Sequence, residues 1–146
     1  VAELHKYKLV DVIHERAKAG IPYIGWSAGS NIACPTLCTT NDMPIVEPES
    51  FKALNLVPFQ INPHYLDPHP EIDKMIKHGG ETRQDRLNEF LAVNPKTKVV
   101  GLREATSLWV IGDKMMLKGG KKMIVFEYNK EAVEIEPGSD VSYLLK

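Results

Sequence analysis

The 146-residue sequence contains only two cysteines, Cys34 and Cys38. Two thiols are too few for a disulfide framework and too few to close a zinc site, which points to a reduced, cytosolic protein. Charge of one sign is also missing. The 18 basic and 19 acidic residues are mixed along the chain and leave a formal net charge of −1. No basic stripe suggests nucleic acid, and no charge block suggests a disordered tail. No apolar run approaches membrane-spanning length, and no signal peptide, repeat, linker or low-complexity tract is recognisable. What is present is 43% apolar residues, enough for the packed core of one domain.

Gly25-Trp26-Ser27-Ala28-Gly29 is a G-x-S-x-G run placed directly after the short apolar segment 21–24. A nucleophile elbow needs a strand, an abrupt turn and a helix, and the flanks supply both elements. Gly25 and Gly29 are expected to keep side chains away where strand and helix crowd, holding the Ser27 hydroxyl at the apex. The bland alternative is a glycine turn with a serine helix cap. Ahead of the elbow, Leu4, Leu9, Val10, Ile13 and Ala17 recur at helical spacing, and Gly20 supplies a stop. A helix followed by a buried strand is half of a βαβ crossover. The expectation is therefore the C-terminal part of a longer chain.

After the elbow a brief helix over 28–33 must end near Pro35, because the residue before proline avoids the α region. Residues 39–50 read as loop, 49–54 as a helical turn, and 56–61 as a second strand ending in Asn62-Pro63-His64. A Pro- and His-rich loop follows over 65–70, then a stretch to Gly80 with no clear pattern. Thr82 and Asp85 form a capping-box pattern, with Leu87, Phe90 and Leu91 as the apolar face of the helix. Residues 98–102 are a third strand. Segments 107–111, 114–117, 122–126 and 132–135 alternate with glycine-rich or charged turns, the pattern of hairpins. The fold class is α/β, a sheet with an antiparallel flank.

A serine hydroxyl needs a neighbouring base. Of the five histidines, His5 and His14 fall on the opening helix as surface residues. His64 directly follows a strand, as Ser27 does, and loops beyond the carboxyl ends of parallel strands share one rim. His69, between Pro68 and Pro70, is the rival. The base needs a carboxylate in turn. Asp42 gives the order Ser, acid, His; Glu104 lies just past the third strand; Asp67 is close to His64 but fits a turn before Pro68. Spacing does not choose between Asp42 and Glu104. A metal site from His64, Asp67, His69 and His78 fits no zinc signature, and no cofactor motif is apparent.

Taken together, Gly25–Asn31, Thr40–Ile45, Gln60–Tyr65, Gly80–Arg83 and Gly101–Glu104 resemble the peptidase E family of cytosolic α-aspartyl dipeptidases. The likeness extends over nearly the whole chain. It implies a fold like the class I glutamine amidotransferase domains, flavodoxin-like with a mostly parallel sheet, with serine in place of their cysteine and the first strands missing here. It implies hydrolysis of small Asp-X dipeptides through an acyl-enzyme, with Ser27 as nucleophile and His64 as general base. Asp42 matches the aspartate usually assigned to the charge relay. Glu104 matches the glutamate set against the histidine and is favoured as its direct partner. Arg83 matches the arginine that binds the aspartyl side chain. Ala28 N–H matches one oxyanion donor, the other coming from an upstream glycine-rich loop. The alternatives are a broader esterase or peptidase, or a truncated form acting as a binding protein.

Overall fold

The computed structural model describes residues 1–68 and 81–146. Most of the stretch to Gly80, with His69 and His78, lies outside the described residues, so the expected 65–70 loop is described only through Pro68. The opening helical pattern forms two helices rather than one, α1 (Ala2–Lys6) and α2 (Leu9–Lys18). The break falls at Lys8, which takes a left-handed φ of 55°. Gly20, at φ +104°, follows α2 as the expected stop. The two histidines do more than decorate a surface. His5 Nε2 and His14 Nδ1 bond the carbonyls of Lys52 and Leu54 at 2.8 and 2.6 Å, tying both helices to the 52–54 segment.

Residues 21–24 do not form the expected buried strand. They enter no ladder among the described residues, and Ile24 is 81% exposed. A β-strand is defined by hydrogen bonds to a neighbour, and none of the described strands pairs with this segment. The expected turn over 49–54 is instead extended, with Lys52 in an antiparallel bridge to Thr36. The short helix α3 (Ala28–Ile32) forms as expected after Ser27, and α4 (Arg83–Val93) starts at a complete Thr82–Asp85 capping box.

Six strands follow the chain: β1 (Gln60–Pro63), β2 (Val99–Leu102), β3 (Thr106–Ile111), β4 (Lys114–Gly119), β5 (Met123–Phe126) and β6 (Val133–Ile135). One sheet has the order β1-β2-β5-β6, and β3 and β4 make a separate hairpin. Parallel pairing among the described strands is confined to β1 and β2; β5 and β6 join antiparallel. The sheet is therefore mixed rather than mostly parallel. The physical reason is connection length: β1 reaches β2 through a crossover that includes α4, whereas the later strands return through short turns. Gly112, at φ +60°, opens the two-residue turn between β3 and β4.

Side chains of β2 and β5 alternate between two buried clusters. Val100, Leu102, Met123 and Val125 join Phe59, Ile61, Met115 and Leu117 on one face. Val99, Ile124 and Phe126 join Tyr65 and the α4 residues Leu87 and Leu91 on the other, with Phe90 partly buried beside them. Each such aliphatic or aromatic side chain contributes about 1.5–3 kcal/mol by leaving water. Burial on both faces explains why 99–102 reads as an unbroken apolar run.

Gly101 sits where these layers leave no room. A Cβ there would lie 2.7 Å from Ile124 Cγ2 and 2.9 Å from the Tyr65 ring, both buried. Gly101→Ala is expected to lower unfolding free energy by about 1–3 kcal/mol in urea, as overpacking does. An unchanged midpoint would show that Tyr65 can move aside at no cost.

Candidate active site

The backbone at Ser27 is strained. Its φ of 51° and ψ of −118° lie outside the regions comfortable for a residue with a Cβ, at a cost of about 1–3 kcal/mol. Neighbouring contacts hold it there. Tyr23 Oη donates to the Gly29 carbonyl at 2.7 Å, Ser30 Oγ donates to the Gly25 carbonyl at 3.2 Å, and Gly29 N–H donates to the Trp26 carbonyl at 2.8 Å. Gly25 is obligatory, because a Cβ would lie 2.6 Å from the Gly29 oxygen. Gly29 is not crowded as expected, since a Cβ there would meet nothing closer than Tyr23 Oη at 3.8 Å among the described residues.

His64 and Glu104 meet at the carboxyl ends of β1 and β2. Parallel register pairs Pro63 with Leu102, and Tyr65 N–H continues it to the Leu102 carbonyl at 2.9 Å. The residues just beyond both strands then emerge on one rim. There His64 Nδ1 is hydrogen-bonded to Glu104 Oε1. His64 itself has φ 53°, and Ala105, next to Glu104, has φ 61°. An imidazole has two nitrogens, so with Nδ1 held by Glu104 only Nε2 is left to meet another group. Asp42 has a different partner. Its Oδ2 accepts from Thr40 Oγ1 at 3.2 Å, and its N–H donates to the same hydroxyl.

Ser27, Asp42, His64 and Arg83 line one cleft of about 230 Å³, together with Asn31, Thr40, Asn41 and Pro63. Arg83 is the first residue of α4, so the Thr82–Asp85 capping box fixes where its side chain starts. Its Nη1 is buried without a hydrogen-bond partner among the described residues. Leaving a charged donor unpaired is costly, and a carboxylate ligand would satisfy it bidentately. Ala28 opens α3, so its N–H has no intrahelical acceptor.

Sequence reasoning passed over the groups that seal the free edge of β1. Ile61 N–H donates to Cys34 Sγ, and its carbonyl accepts from Asn31 Nδ2 at 2.8 Å and Thr39 Oγ1 at 3.0 Å. Asn41 Nδ2 donates to the Pro63 carbonyl at 2.7 Å, and Asn41 Oδ1 accepts in turn from Asn62 Nδ2. Side chains thus take the place of a neighbouring strand and tie the elbow helix and the Asp42 loop to β1. The polar run Thr39-Thr40-Asn41 was the available signal.

Arg103 braces the rim from behind. It is 13% exposed, bonds both Asp67 oxygens (2.8 and 2.5 Å) and Glu134, and lies over the Tyr65 ring at 5.7 Å. The hydrogen bonds from Arg103 hold the Asp67 carboxyl below its ordinary value. Burial, reinforced by the Asp67 charge, pushes the Tyr65 phenol up. A larger open depression of about 470 Å³ borders Arg103, and most of its charges are already paired: Arg103 with Asp67 and Glu134, and Lys122 with Glu134 and Glu136.

Residues 1–118 match the family model described as peptidase family S51. The chain is 49% identical over 143 residues to a protein named Peptidase E from Nostoc sp., covering 98% of this chain and 57% of that one. It is 50% identical over 144 residues to a Peptidase E from Shewanella baltica, covering 99% and 59%. A Peptidase E from Shewanella amazonensis matches at 50% over 143 residues, with 98% and 59% covered. The chain therefore spans somewhat over half the length of the curated relatives it matches.

The two cysteines differ sharply in environment. Cys34 is fully buried, and burial pushes its thiol up to about 12 despite the Ile61 N–H, whereas Cys38 is exposed. A buried thiol that stays protonated is a poor nucleophile. Iodoacetamide at neutral pH is expected to alkylate Cys38 alone in the folded protein, and both residues in urea. Peptide mass spectrometry showing Cys34 modified at the same rate would contradict this packing.

Proposed function

The chain belongs to peptidase family S51, and from that premise we propose that it is a serine peptidase acting on dipeptides with N-terminal aspartate. The observation that carries the reading is the bond from His64 Nδ1 to Glu104, with His64 and a strained Ser27 lining one cleft. In this mechanism His64 Nε2 takes the proton as Ser27 Oγ attacks the scissile carbonyl. Glu104 fixes the tautomer and stabilises the imidazolium. Ala28 N–H donates to the developing oxyanion. The amine leaves with a proton from His64, and water then hydrolyses the acyl-enzyme by the same route in reverse.

Arg83 gives the reaction its selectivity. Aspartate and asparagine have nearly the same shape, so a pocket that tells them apart must read charge. The Arg83 guanidinium, whose buried Nη1 has no hydrogen-bond partner among the described residues, suits a side-chain carboxylate. The same reading places the fold among the class I glutamine amidotransferase-like domains, with serine where those carry cysteine.

Assays with Asp-Leu, Asn-Leu and Leu-Leu test the proposal. Asp-Leu should exceed Asn-Leu by about 30-fold or more in kcat/KM, the equivalent of about 2 kcal/mol for an uncompensated charge. Arg83→Met should remove most of that preference. Ser27→Ala should lower turnover by ~10⁶. Glu104→Gln should lower kcat by orders of magnitude with little change in KM. Comparable cleavage of Leu-Leu, or substantial turnover by Ser27→Ala, would overturn the proposal.

A further inference from the structure

Asp42 stands in the cleft without a job in proton transfer. Both nitrogens of His64 are spoken for in the proposed mechanism, Nδ1 by Glu104 and Nε2 by Ser27, so no position remains for a second carboxylate on the imidazole. The Asp42 carboxylate bonds only Thr40 among the described residues and pairs with no basic side chain there. Arg83 lines the same cleft, and the two opposite charges form no ion pair with each other. At about 230 Å³ the cleft is smaller than the roughly 300–1,000 Å³ of drug-sized ligand pockets. It suits a single residue and its scissile bond.

A small cleft with a separated cation and anion is complementary to a ligand carrying both charges in reverse. The terminal residue of an Asp-X dipeptide has this character, with a side-chain carboxylate for Arg83 and an α-ammonium a few bonds away. We infer that Asp42 binds the free α-ammonium of the substrate and so restricts the site to N-terminal residues. The inference rests on the function proposed above and deepens it. Arg83 reads which side chain is present, and Asp42 reads that nothing precedes it in the peptide. Thr40 serves as the orienting group, since its hydroxyl bonds both the carboxylate and the N–H of Asp42. Endopeptidase cleavage after an internal aspartate is excluded by the same contact, because an acylated nitrogen brings no charge and no free ammonium donors to match the carboxylate.

The direct test is calorimetric binding at pH 7 to the Ser27→Ala protein, which cannot form an acyl-enzyme. The ligands are Asp-Leu and succinyl-Leu, which has the same carboxylate and amide but no α-amino group. Asp-Leu should bind about tenfold more tightly, as one hydrogen bond to a charged group is worth. Adding Asp42→Asn should bring the two ligands within about twofold by weakening Asp-Leu alone. Equal affinities in the Ser27→Ala protein, binding of neither ligand, or an undiminished preference after Asp42→Asn would overturn the inference.

Kinetics in the Ser27 protein separate a binding role from a relay role. Asp42→Asn should raise KM for Asp-Leu about tenfold and change kcat by less than about threefold. A large fall in kcat for Asp-Leu and succinyl-Leu alike would make Asp42 part of proton transfer and reject the ammonium site. A protein that shows the binding preference but turns over neither ligand would retain the ammonium site and defeat the hydrolytic reading instead.

Discussion

The site depends on the parallel register between Gln60–Pro63 and Val99–Leu102. Two short strands, fully buried, run side by side and end together, so that the first residues beyond each meet at one rim. A slip of one residue would turn every side chain of β1 to the opposite face and carry His64 away from Glu104. The pair is kept in register by burial on both faces of β2 and by the close seat of the Tyr65 ring on Gly101. Arg103 adds a lateral brace through Asp67 and Glu134. The left-handed backbone at Ser27, His64 and Ala105 is therefore local strain held by a rigid frame.

The outer edge of β1 shows a second device. Where a strand would normally dock, Asn31, Cys34, Thr39 and Asn41 supply the donors and acceptors. Because Asn31 lies on the elbow helix and Asn41 precedes Asp42, the same hydrogen bonds that satisfy β1 also place Ser27 and Asp42 about the cleft. Satisfied buried networks of this type rigidify their surroundings, and loss of one member leaves its partners unpaired. Structure and site geometry are in this respect one network.

Local chemistry was legible in the sequence wherever its cause was local. Thr82 and Asp85 cap α4 because the two side chains lie three residues apart, and the Gly112 turn follows from a glycine between alternating segments. The run Val99–Leu102 read as a strand, and it forms one. Causes that act across the chain were not legible. The break at Lys8 leaves the apolar spacing intact on both sides, so periodicity alone gave one helix. Residues 21–24 have a strand composition, but composition cannot supply a neighbour. The choice of carboxylate at His64 was open because Asp42 and Glu104 are comparably plausible by spacing, whereas the hydrogen bond to Glu104 arises from strand register.

The central claim is that Ser27 is made nucleophilic by a histidine that Glu104 orients. Treating the protein with an alkyl fluorophosphonate and locating the adduct by peptide mass spectrometry tests it most directly, since the reagent needs an activated serine but no specificity pocket. The account predicts a single phosphonyl group on Ser27, formed far more slowly when His64 or Glu104 is replaced by glutamine. An adduct on another residue, or a Ser27 adduct formed equally fast in those variants, would contradict it.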